Sequence, residues 1–328
     1  MNKSKKPIIF LTGGAGFIGS HLTERLVKHG YKVKIFDNLS RNAIKYTNIL
    51  KNSAVEFVQG DILDMKKLAG SMKGTDAVLH LAAIAGVSNY YKFPAKTLKT
   101  NLIGTYNVLE AMLQNKVLRI IDMSTSEIFG TDAIEASEET YFKIGPPDDK
   151  RWSYAASKIG GEQFIYRYAD EFHLNATVVR PFNIYGPRQV GEGAISNFCK
   201  KILEGGKIKI EGTGASSRSW CYIDDFVDVL MLLIEKPHRG VDNFNIGNPW
   251  QIRTNYDLAQ LVIRHAENFL SRKFVGKFEY VPMPFTEIKV RYPNINKIKN
   301  AYNWYPKIDL EQGVSNTFKW FVENYKEK

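Results

Sequence analysis

Short runs of consecutive apolar residues alternate, in the first half of the chain, with longer segments whose apolar residues recur every three or four positions. The short runs predict strands at IIFLT (8–12), KVKIFD (32–37), VEFVQG (55–60), AVLHLA (77–82), LRIIDMS (118–124) and NATVVRPF (175–182). The longer segments predict helices at 16–30, 42–51, 64–72, 94–115 and 153–173. Such alternation of strands and helices predicts a parallel sheet with helices on both faces.

The pattern changes after about residue 183, where glycine-rich turns, prolines and shorter elements dominate. Helices are predicted near 193–204, 254–270 and 309–326. We therefore predict an α/β fold, with a Rossmann-type doubly wound parallel sheet and a smaller, mainly helical C-terminal lobe. The predicted boundaries are residues 1–183 for the first domain, 222–246 for a helix and strand that return to it, and 184–328 for the lobe.

The segment TGGAGFIGSHL places Gly13, Gly16 and Gly19 directly after a predicted strand and at the start of a helix. Glycines let the backbone turn sharply and approach a pyrophosphate, which the helix N-terminus then stabilises. The second predicted strand ends at Asp37, where a carboxylate can bind the ribose hydroxyls of NAD and would repel the 2′-phosphate of NADP. Arg41 alone would favour NADP, but it lies further along the loop, so we predict NAD.

Further candidate cofactor contacts follow the other predicted strands. The sequence GDI (60–62) after the third strand predicts a contact with adenine, and the small residues of LAAIAG (81–86) let the backbone touch a cofactor. The candidate cofactor-binding residues are Gly13, Gly16, Phe17, Ile18, Asp37, Asn38, Asp61, Ile62, Leu81, Ala82, Ala83, Asn101, Tyr154 and Lys158.

The segment RWSYAASKIGGE places Tyr154 and Lys158 four residues apart, and hence on one face of a helix. A phenol with a pKa near 10 is a poor base at neutral pH. A neighbouring ammonium and a positive nicotinamide ring favour the phenolate and lower that pKa. Tyr154 could then take a proton from a sugar hydroxyl while a hydride leaves for NAD⁺.

The formal net charge of +11 comes from scattered lysines, without zinc-ligand spacing or a recognisable RNA-binding motif. We interpret it as a solvated surface that attracts anionic small substrates, with nucleic-acid binding as the less favoured alternative and no metal site. Arginines beside predicted turns of the second half suit phosphate, because their planar fork donates two parallel hydrogen bonds. They are Arg180, Arg188, Arg218 and Arg291.

Cys199 and Cys221 are the two cysteines of the chain and cannot form a disulfide framework. No apolar stretch reaches the roughly 18 residues of a membrane span. The basic start MNKSKK precedes an apolar run that is too short for a secretion signal. We therefore predict a cytoplasmic protein that does not bind membranes.

Together these motifs resemble the extended short-chain dehydrogenase/reductase family, which contains NAD-dependent nucleotide-sugar epimerases, dehydratases and decarboxylases. The resemblance covers essentially the whole chain, through GGAGFIG, DNLS, GDI, HLAA, NLIGTYNVLEA, STSEIFG, YAASK, RPFNIYGPRQ, RSWCYIDD and NFNIGNP. It implies that Ser124 and Thr125 bind the reacting hydroxyl, that Tyr154 is the base and that Lys158 binds the nicotinamide ribose. It also implies that Asn183 and Arg218 hold a substrate diphosphate.

The family further implies a homodimer whose four-helix bundle contains the helices near 94–115 and 153–173. It implies oxidation of sugar C4 to a transient ketone, followed by epimerisation, 4,6-dehydration or decarboxylation. Glu127 argues against a plain epimerase, and Ser126 stands where many dehydratases have Asp. A Ser-Glu pair resembles both uronate decarboxylases and GDP-mannose dehydratases.

Two stretches favour a decarboxylase, and hence a lyase. PAKTLKTNLIGT (94–105) resembles the enzymes that form UDP-xylose, and IGPPDDKRWSYAASK (144–158) resembles the decarboxylases of lipid A modification. Arg151 and Arg218 are then candidates for binding a substrate carboxylate. The dehydratase comes second and the epimerase third; a non-catalytic NAD-sensing or RNA-associated protein is the alternative from another class.

Overall fold

The computed structural model describes residues 6–274, 278–284 and 286–325. Its strands are, in chain order, β1 (Ile8–Thr12), β2 (Lys32–Asp37), β3 (Val55–Gln59), β4 (Ala77–His80), β5 (Arg119–Met123), β6 (Asp132–Ala136), β7 (Asn175–Pro181), β8 (Ile184–Tyr185), β9 (Ile208–Glu211), β10 (Ser217–Ser219), β11 (Cys221–Tyr222), β12 (Val241–Ile246), β13 (Ile252–Thr254), β14 (Phe278–Val281) and β15 (Val290–Pro293). Its α-helices are α1 (Phe17–Lys28), α2 (Met65–Met72), α3 (Val87–Lys92), α4 (Pro94–Leu98), α5 (Gly104–Gln114), α6 (Trp152–Phe172), α7 (Ala194–Leu203), α8 (Ile223–Glu235), α9 (Asn255–Leu270), α10 (Asn296–Tyr302) and α11 (Leu310–Asn324).

Seven strands form the central sheet in the order β12-β7-β5-β4-β1-β2-β3. The pairs from β3 to β7 are all parallel, which confirms the predicted Rossmann-type sheet. The strand order reverses between β1 and β4, and ligands of such sheets bind beyond the carboxyl ends of the strands at that point. The strands are apolar on consecutive positions, and Phe10, Val78, Ile120 and Val178 pack into one buried core with residues of α2, α5 and α6.

The chain divides into two compact units. The first contains the chain up to Ile128, Ile144–Arg180 and Val227–Phe244; the second contains Phe129–Lys143, Pro181–Phe226 and the chain from Asn245 onward. The segment 129–143 thus belongs to the second unit, although the sequence boundary at residue 183 assigns it to the first domain. That boundary stays a prediction.

The second unit combines α7, α9, α10 and α11 with small sheets that the sequence analysis did not predict. One sheet has the order β13-β10-β15-β6, and two others pair β11 with β8 and β14 with β9. These strands are two to five residues long, too short to produce a recognisable hydrophobic alternation. The predicted last helix ends at Asn324, and residue 326 of the prediction lies outside the described residues.

The predicted helix at 42–51 is wrong, because the structure has only short 3₁₀ turns at Ile44–Tyr46 and Ile49–Lys51. Thr47 Oγ1 donates to the carbonyl oxygen of Ile44, and the Asn42 side chain accepts from the Lys45 amide. Such local bonds between side chains and backbone compete with a continuous helix.

The predicted helix at 94–115 is interrupted by one π-helical turn, Lys99–Ile103, between α4 and α5. Helix α3 was not predicted as a separate element. Among the described residues, no helix is both long and apolar enough to cross a membrane.

Candidate active site

The glycine turn after β1 is built for close backbone approach. Gly13 has φ +72°, and a Cβ there would lie 2.6 Å from the backbone nitrogen of Ala82, which follows β4. A Cβ on Gly19 would lie 2.5 Å from the Gly13 carbonyl oxygen, so α1 begins in contact with the turn. Helix α1 has no side-chain cap and no acidic residue in its first turn, which leaves its N-terminal amides available to an anion.

Asp37 ends β2 and binds this turn through its carboxylate. Its oxygens accept from the Ala15 amide at 3.0 Å and the Leu39 amide at 2.7 Å. Burial raises the pKa of Asp37, and these two amides oppose the shift. Because an ionised carboxylate offers about four acceptor positions, two can still accept from ribose hydroxyls. The glycine turn, the open helix end and this acid therefore fit NAD.

The remaining cofactor candidates lie around the same strand ends. Asn38 Nδ2 donates to Asp61 at 3.4 Å. Ile62 is buried against Gly104 of α5. Asn101 lies in the π turn, where its amide accepts from the Ile84 amide at 2.7 Å and donates to the Ile84 carbonyl and to Ser157. Asn101 thereby holds the loop that follows β4.

Arg41, the residue that would favour NADP, has a partner in the first unit. Its Nη2 donates to the carbonyl oxygen of Ala85 at 2.5 Å. The guanidinium therefore also holds the loop after β4, the loop that contains the candidates Leu81, Ala82 and Ala83.

Tyr154 and Lys158 lie on α6, as predicted. Lys158 is buried and donates from Nζ to the Met123 carbonyl oxygen at 2.5 Å. The Tyr154 ring is stacked on Tyr90, with 5.8 Å between ring centroids and 10° between planes. Sequence analysis missed Tyr90, since one buried tyrosine in a short helix carries no distinguishing pattern.

The hydroxyl-rich turn after β5 is buried. Ser124, Thr125 and Ser126 are each less than 7% exposed. Thr125 Oγ1 accepts from the Glu127 amide at 3.2 Å, whereas Ser124 Oγ donates to the carboxylate of Glu162 on α6. The predicted contact of Ser124 with a reacting hydroxyl stays a prediction, and in this structure its hydrogen is directed to Glu162.

Glu127 and Arg151 form an ion pair, with Nη2 of Arg151 donating to Oε2 of Glu127 at 2.6 Å. The Arg151 guanidinium also lies 5.7 Å from the centroid of the Tyr90 ring. Burial alone would lower the pKa of Arg151, but Glu127 and Tyr90 outweigh it and the pKa is raised. In the structure, Arg151, predicted to bind a substrate carboxylate, is thus bonded to Glu127, the acid that the sequence analysis singled out.

Lys158 belongs to a group of buried titratable residues, and sequence analysis missed the other members, Asp122 and Glu162. Burial raises the pKa of Asp122 to about 6, although Lys158 opposes the shift. Burial lowers the pKa of Lys158, while Asp122 and Glu162 raise it. Burial is the larger effect, so the pKa of Lys158 is lowered, and the two carboxylates limit that loss of the ammonium form.

His80 of β4 belongs to the same buried region. It bonds Thr12 through Nδ1 at 2.7 Å and Thr105 through Nε2 at 3.1 Å. Burial, with a smaller contribution from Lys158, lowers the pKa of His80 to about 3. Its imidazole is therefore neutral at physiological pH.

The second unit brings together three of the predicted substrate residues. Arg218 on β10 and Arg291 on β15 are partners in a parallel pair of strands, so two guanidiniums start from neighbouring backbone positions. Asn183 Nδ2 donates to the carbonyl oxygen of Ser219, next to Arg218. Like charges in register favour an anion between them. Arg188, which is buried, lies near Tyr222 and lowers the pKa of that phenol against the stronger effect of its burial.

The second unit also contains a cleft of about 460 Å³ between α7, β9 and the start of α9. Lys200, Lys201 and Lys209 contribute cationic groups to its wall, and Phe198 and Ile210 contribute apolar surface. Sequence analysis did not identify these residues, because scattered lysines resemble any solvated surface. Among the described residues, no cluster of potential metal ligands occurs.

The sequence model of the NAD dependent epimerase/dehydratase family matches residues 9–247, which include the glycine turn, the β5 turn and the Tyr154–Lys158 pair. The chain belongs to this family. It is an NAD-dependent enzyme, and its predicted cofactor and fold are confirmed.

Three relatives illustrate the range of the family. The UDP-N-acetyl-α-D-glucosaminuronate decarboxylase of Bacillus cytotoxicus is 36% identical over 318 residues, covering 95% of this chain and 97% of its own. The dTDP-glucose 4,6-dehydratase of Streptomyces venezuelae, solved with NAD bound, has a TM-score of 0.88 at 26% identity and 97% coverage of both chains. The UDP-glucuronic acid 4-epimerase of Bacillus cereus, solved with UDP-glucuronic acid and NAD, has a TM-score of 0.85 at 28% identity, covering 97% of this chain and 100% of that one.

Proposed function

We propose that this protein decarboxylates a UDP-linked uronate through a transient 4-keto sugar. The observation that carries the proposal is Arg151, a buried guanidinium beside the stacked Tyr90 and Tyr154 rings. Its Nε is buried without a hydrogen-bond partner among the described residues, although Nη2 binds Glu127. A buried N–H that lacks a partner is costly, and a substrate carboxylate would satisfy it. The similarity to a uronate decarboxylase supports the same choice.

The first step removes a proton from the C4 hydroxyl. Tyr154 takes this proton as the general base, and the ammonium of Lys158, held by the Met123 carbonyl oxygen, favours the phenolate. Thr125 and Ser126, in the buried turn after β5, would hydrogen-bond the same sugar. NAD, held by the glycine turn after β1 and by Asp37, would supply the acceptor for the C4 hydride and the hydride that C4 later regains.

The second step breaks the bond between C5 and the carboxylate carbon. A 4-keto uronate is a β-keto acid, so the bonding electrons move to the C4 oxygen as CO₂ leaves, and the protonated Tyr154 stabilises the resulting enolate. Arg151 orients the carboxylate before it leaves. Water supplies the proton that C5 needs, and the carboxylate of Glu127, which is paired with Arg151 and 17% exposed, passes that proton to C5.

The nucleotide would bind in the second unit. The register of Arg218 with Arg291 supports a diphosphate held by the two guanidiniums, and the Asn183 amide would bind beside Arg218. Arg188 is a further candidate for the same diphosphate. The cleft beside α7 and β9 has room for the nucleoside, with lysines at its edge.

Mass spectrometry after incubation with UDP-glucuronate, UDP-N-acetylglucosaminuronate, dTDP-glucose and UDP-glucose tests the proposal. We expect loss of CO₂ from a uronate and no change in the neutral sugars. Loss of water from dTDP-glucose would instead identify a 4,6-dehydratase. A uronate isomer of unchanged mass would identify a 4-epimerase. Either outcome overturns the decarboxylase.

We also propose a homodimer formed through α5 and α6. Leu98, Ile103 and Tyr106 on the α4–α5 segment and Phe172 at the end of α6 are each more than a third exposed. Apolar side chains of this size on adjacent helices favour burial against a second copy. Light scattering after gel filtration should give twice the chain mass, and Ile103→Glu should give the monomer; a monomeric wild type contradicts the dimer.

A cytoplasmic location is supported by the two cysteines. Cys199 and Cys221 are both free and buried, as expected for a reducing compartment. Cell fractionation that recovers the protein outside the cytoplasm would contradict this assignment.

A further inference from the structure

Glu162 is a buried carboxylate that has no contact with sugar or cofactor in the proposed chemistry, although its charge raises the pKa of Lys158. It lies on α6 at the spacing of Tyr154 and Lys158, four residues further on, so the three side chains share one helix face. Glu162 is 2% exposed. A buried carboxylate is retained only when other groups compensate its charge and satisfy its oxygens.

Arg180 of β7 supplies that compensation. Its Nε donates to Oε1 of Glu162 at 3.0 Å and its Nη2 to Oε2 at 2.7 Å, which makes a forked pair. Arg180 is itself 3% exposed. The two side chains hold each other in place inside the first unit. If either one moved away, the other would be left as a buried charge without a partner.

Ser124 is the third member of the group. Its Oγ donates to the same Oε1 of Glu162, and its backbone amide donates to the Val179 carbonyl oxygen at 2.8 Å, directly before Arg180. One residue earlier, the Met123 carbonyl oxygen accepts from Lys158. This face of α6 is therefore bonded to the carboxyl end of β5 at two consecutive residues, Met123 and Ser124. Through Glu162 it is also bonded to Arg180, near the carboxyl end of β7.

We propose that Glu162, fixed by Arg180, is a positioning residue that holds the turn Thr125–Glu127 at a set distance from Tyr154. The turn begins at Ser124, and Ser124 is held by Glu162, so displacement of Ser124 moves Thr125, Ser126 and Glu127 relative to α6. Ser124 acts through this bond, since its hydrogen is directed to Glu162. The proposal rests on the proposed function, because it assigns Glu162 to the geometry of that reaction.

A double-mutant cycle of Ser124→Ala and Glu162→Gln tests this coupling. We expect kcat, expressed per bound NAD, to fall about 10- to 100-fold in each single variant, because misplacement by about an ångström costs that much. The KM for the nucleotide sugar should stay within about threefold, since the diphosphate site is untouched. The double variant should be no slower than Glu162→Gln by more than about twofold.

The control is Thr75→Val, which removes another buried hydroxyl, one that donates to the Met72 carbonyl oxygen after α2. It should leave kcat per bound NAD unchanged. If Glu162→Gln fails to fold, Arg180→Lys replaces it in the cycle, because it keeps the charge and loses the fork.

Multiplicative losses in the double variant would show that Ser124 and Glu162 act separately, and would overturn the positioning role. An unchanged kcat in Ser124→Ala would do the same. If wild-type protein converts no nucleotide sugar, the proposed function fails, and this proposal fails with it. Turnover by the wild type with normal kcat in Glu162→Gln overturns the positioning alone.

Discussion

Arg151 and Glu127 form an ion pair across 2.6 Å, although 24 residues separate them in the sequence. Arg151 is 6% exposed and lies over the Tyr90 ring, which is itself stacked on Tyr154. The cation that would bind a substrate carboxylate is therefore already bound to the carboxylate that would protonate the product. A uronate that enters this site brings two carboxylates together at one guanidinium.

Replacing Arg151 should weaken binding of the uronate more than binding of a neutral sugar. Arg151→Lys retains a charge but loses the planar fork, and loss of a charged hydrogen bond of about 1.5–3 kcal/mol raises the KM for UDP-glucuronate about 10- to 100-fold. The inhibition constant of UDP-glucose should change less than about threefold, since it has no carboxylate. The control is Arg167→Lys, which changes an arginine in an exposed ion pair with Asp170. Equal losses of affinity for UDP-glucuronate and UDP-glucose in Arg151→Lys would contradict the assignment.

Glu127→Gln should stop the reaction after oxidation at C4. The amide still accepts a hydrogen bond from Arg151 but cannot donate a proton to C5. Bound NAD should remain at the wild-type level, and rapid quenching with mass spectrometry should detect a keto sugar in place of finished product. Full turnover by this variant would show that Glu127 has no chemical role.

Tyr154→Phe keeps the ring stacked on Tyr90 and removes the phenol that acts as base. General base catalysis contributes about 10²- to 10⁴-fold, so kcat should fall by that factor while NAD stays bound. The matched control is Tyr166→Phe on the same helix, which loses a phenol that accepts from Asn243 Nδ2 and should leave kcat unchanged. Absorbance of reduced NAD after substrate addition is the measurement, and reduction at the wild-type rate would refute the assignment.

Gly13→Ala should abolish NAD binding and destabilise the fold. Its φ of +72° is strained for alanine, and the new Cβ would lie 2.6 Å from the Ala82 nitrogen. Gly70→Ala in α2 is the control, because its Cβ meets no atom within 4 Å and alanine favours a helix by about 0.5–1 kcal/mol. NAD content and thermal unfolding should separate the two variants; equal NAD content would contradict the close approach.

His80 should make stability fall with acid. Its folded pKa of about 3 lies below the ordinary 6.5, so in that window the unfolded chain binds the proton and the folded protein does not. The contribution of His80 to the free energy of unfolding is complete above about pH 6.5 and declines by about 1.4 kcal/mol per pH unit toward pH 3. Urea unfolding at a series of pH values should show that the free energy of unfolding of His80→Gln depends less steeply on pH, by the equivalent of one proton. Equal slopes for the variant and the wild type would mean that His80 is protonated in the folded protein.

Most elements of the central sheet were predictable from the sequence. Strand β2, for example, is predicted and observed at Lys32–Asp37, and α6 differs from its prediction by one residue at each end. Consecutive apolar positions and helical spacing are local properties of the sequence, so they predict strands and helices without knowledge of the fold. The predicted helix at 42–51 is wrong because the side chains of Asn42 and Thr47 bond the local backbone, which the spacing of apolar residues does not indicate.

The spacing of Tyr154 and Lys158 and the glycine turn with Asp37 were also determined by the sequence alone, because one helix turn or one strand–turn–helix unit defines each geometry. Tertiary structure alone decided that Glu127 binds Arg151, that Ser124 binds Glu162, and that Arg218 lies in register with Arg291. These residues meet through the order of strands in a sheet and the direction of buried side chains. Their charges are perturbed by burial, and burial exists only once the chain has packed.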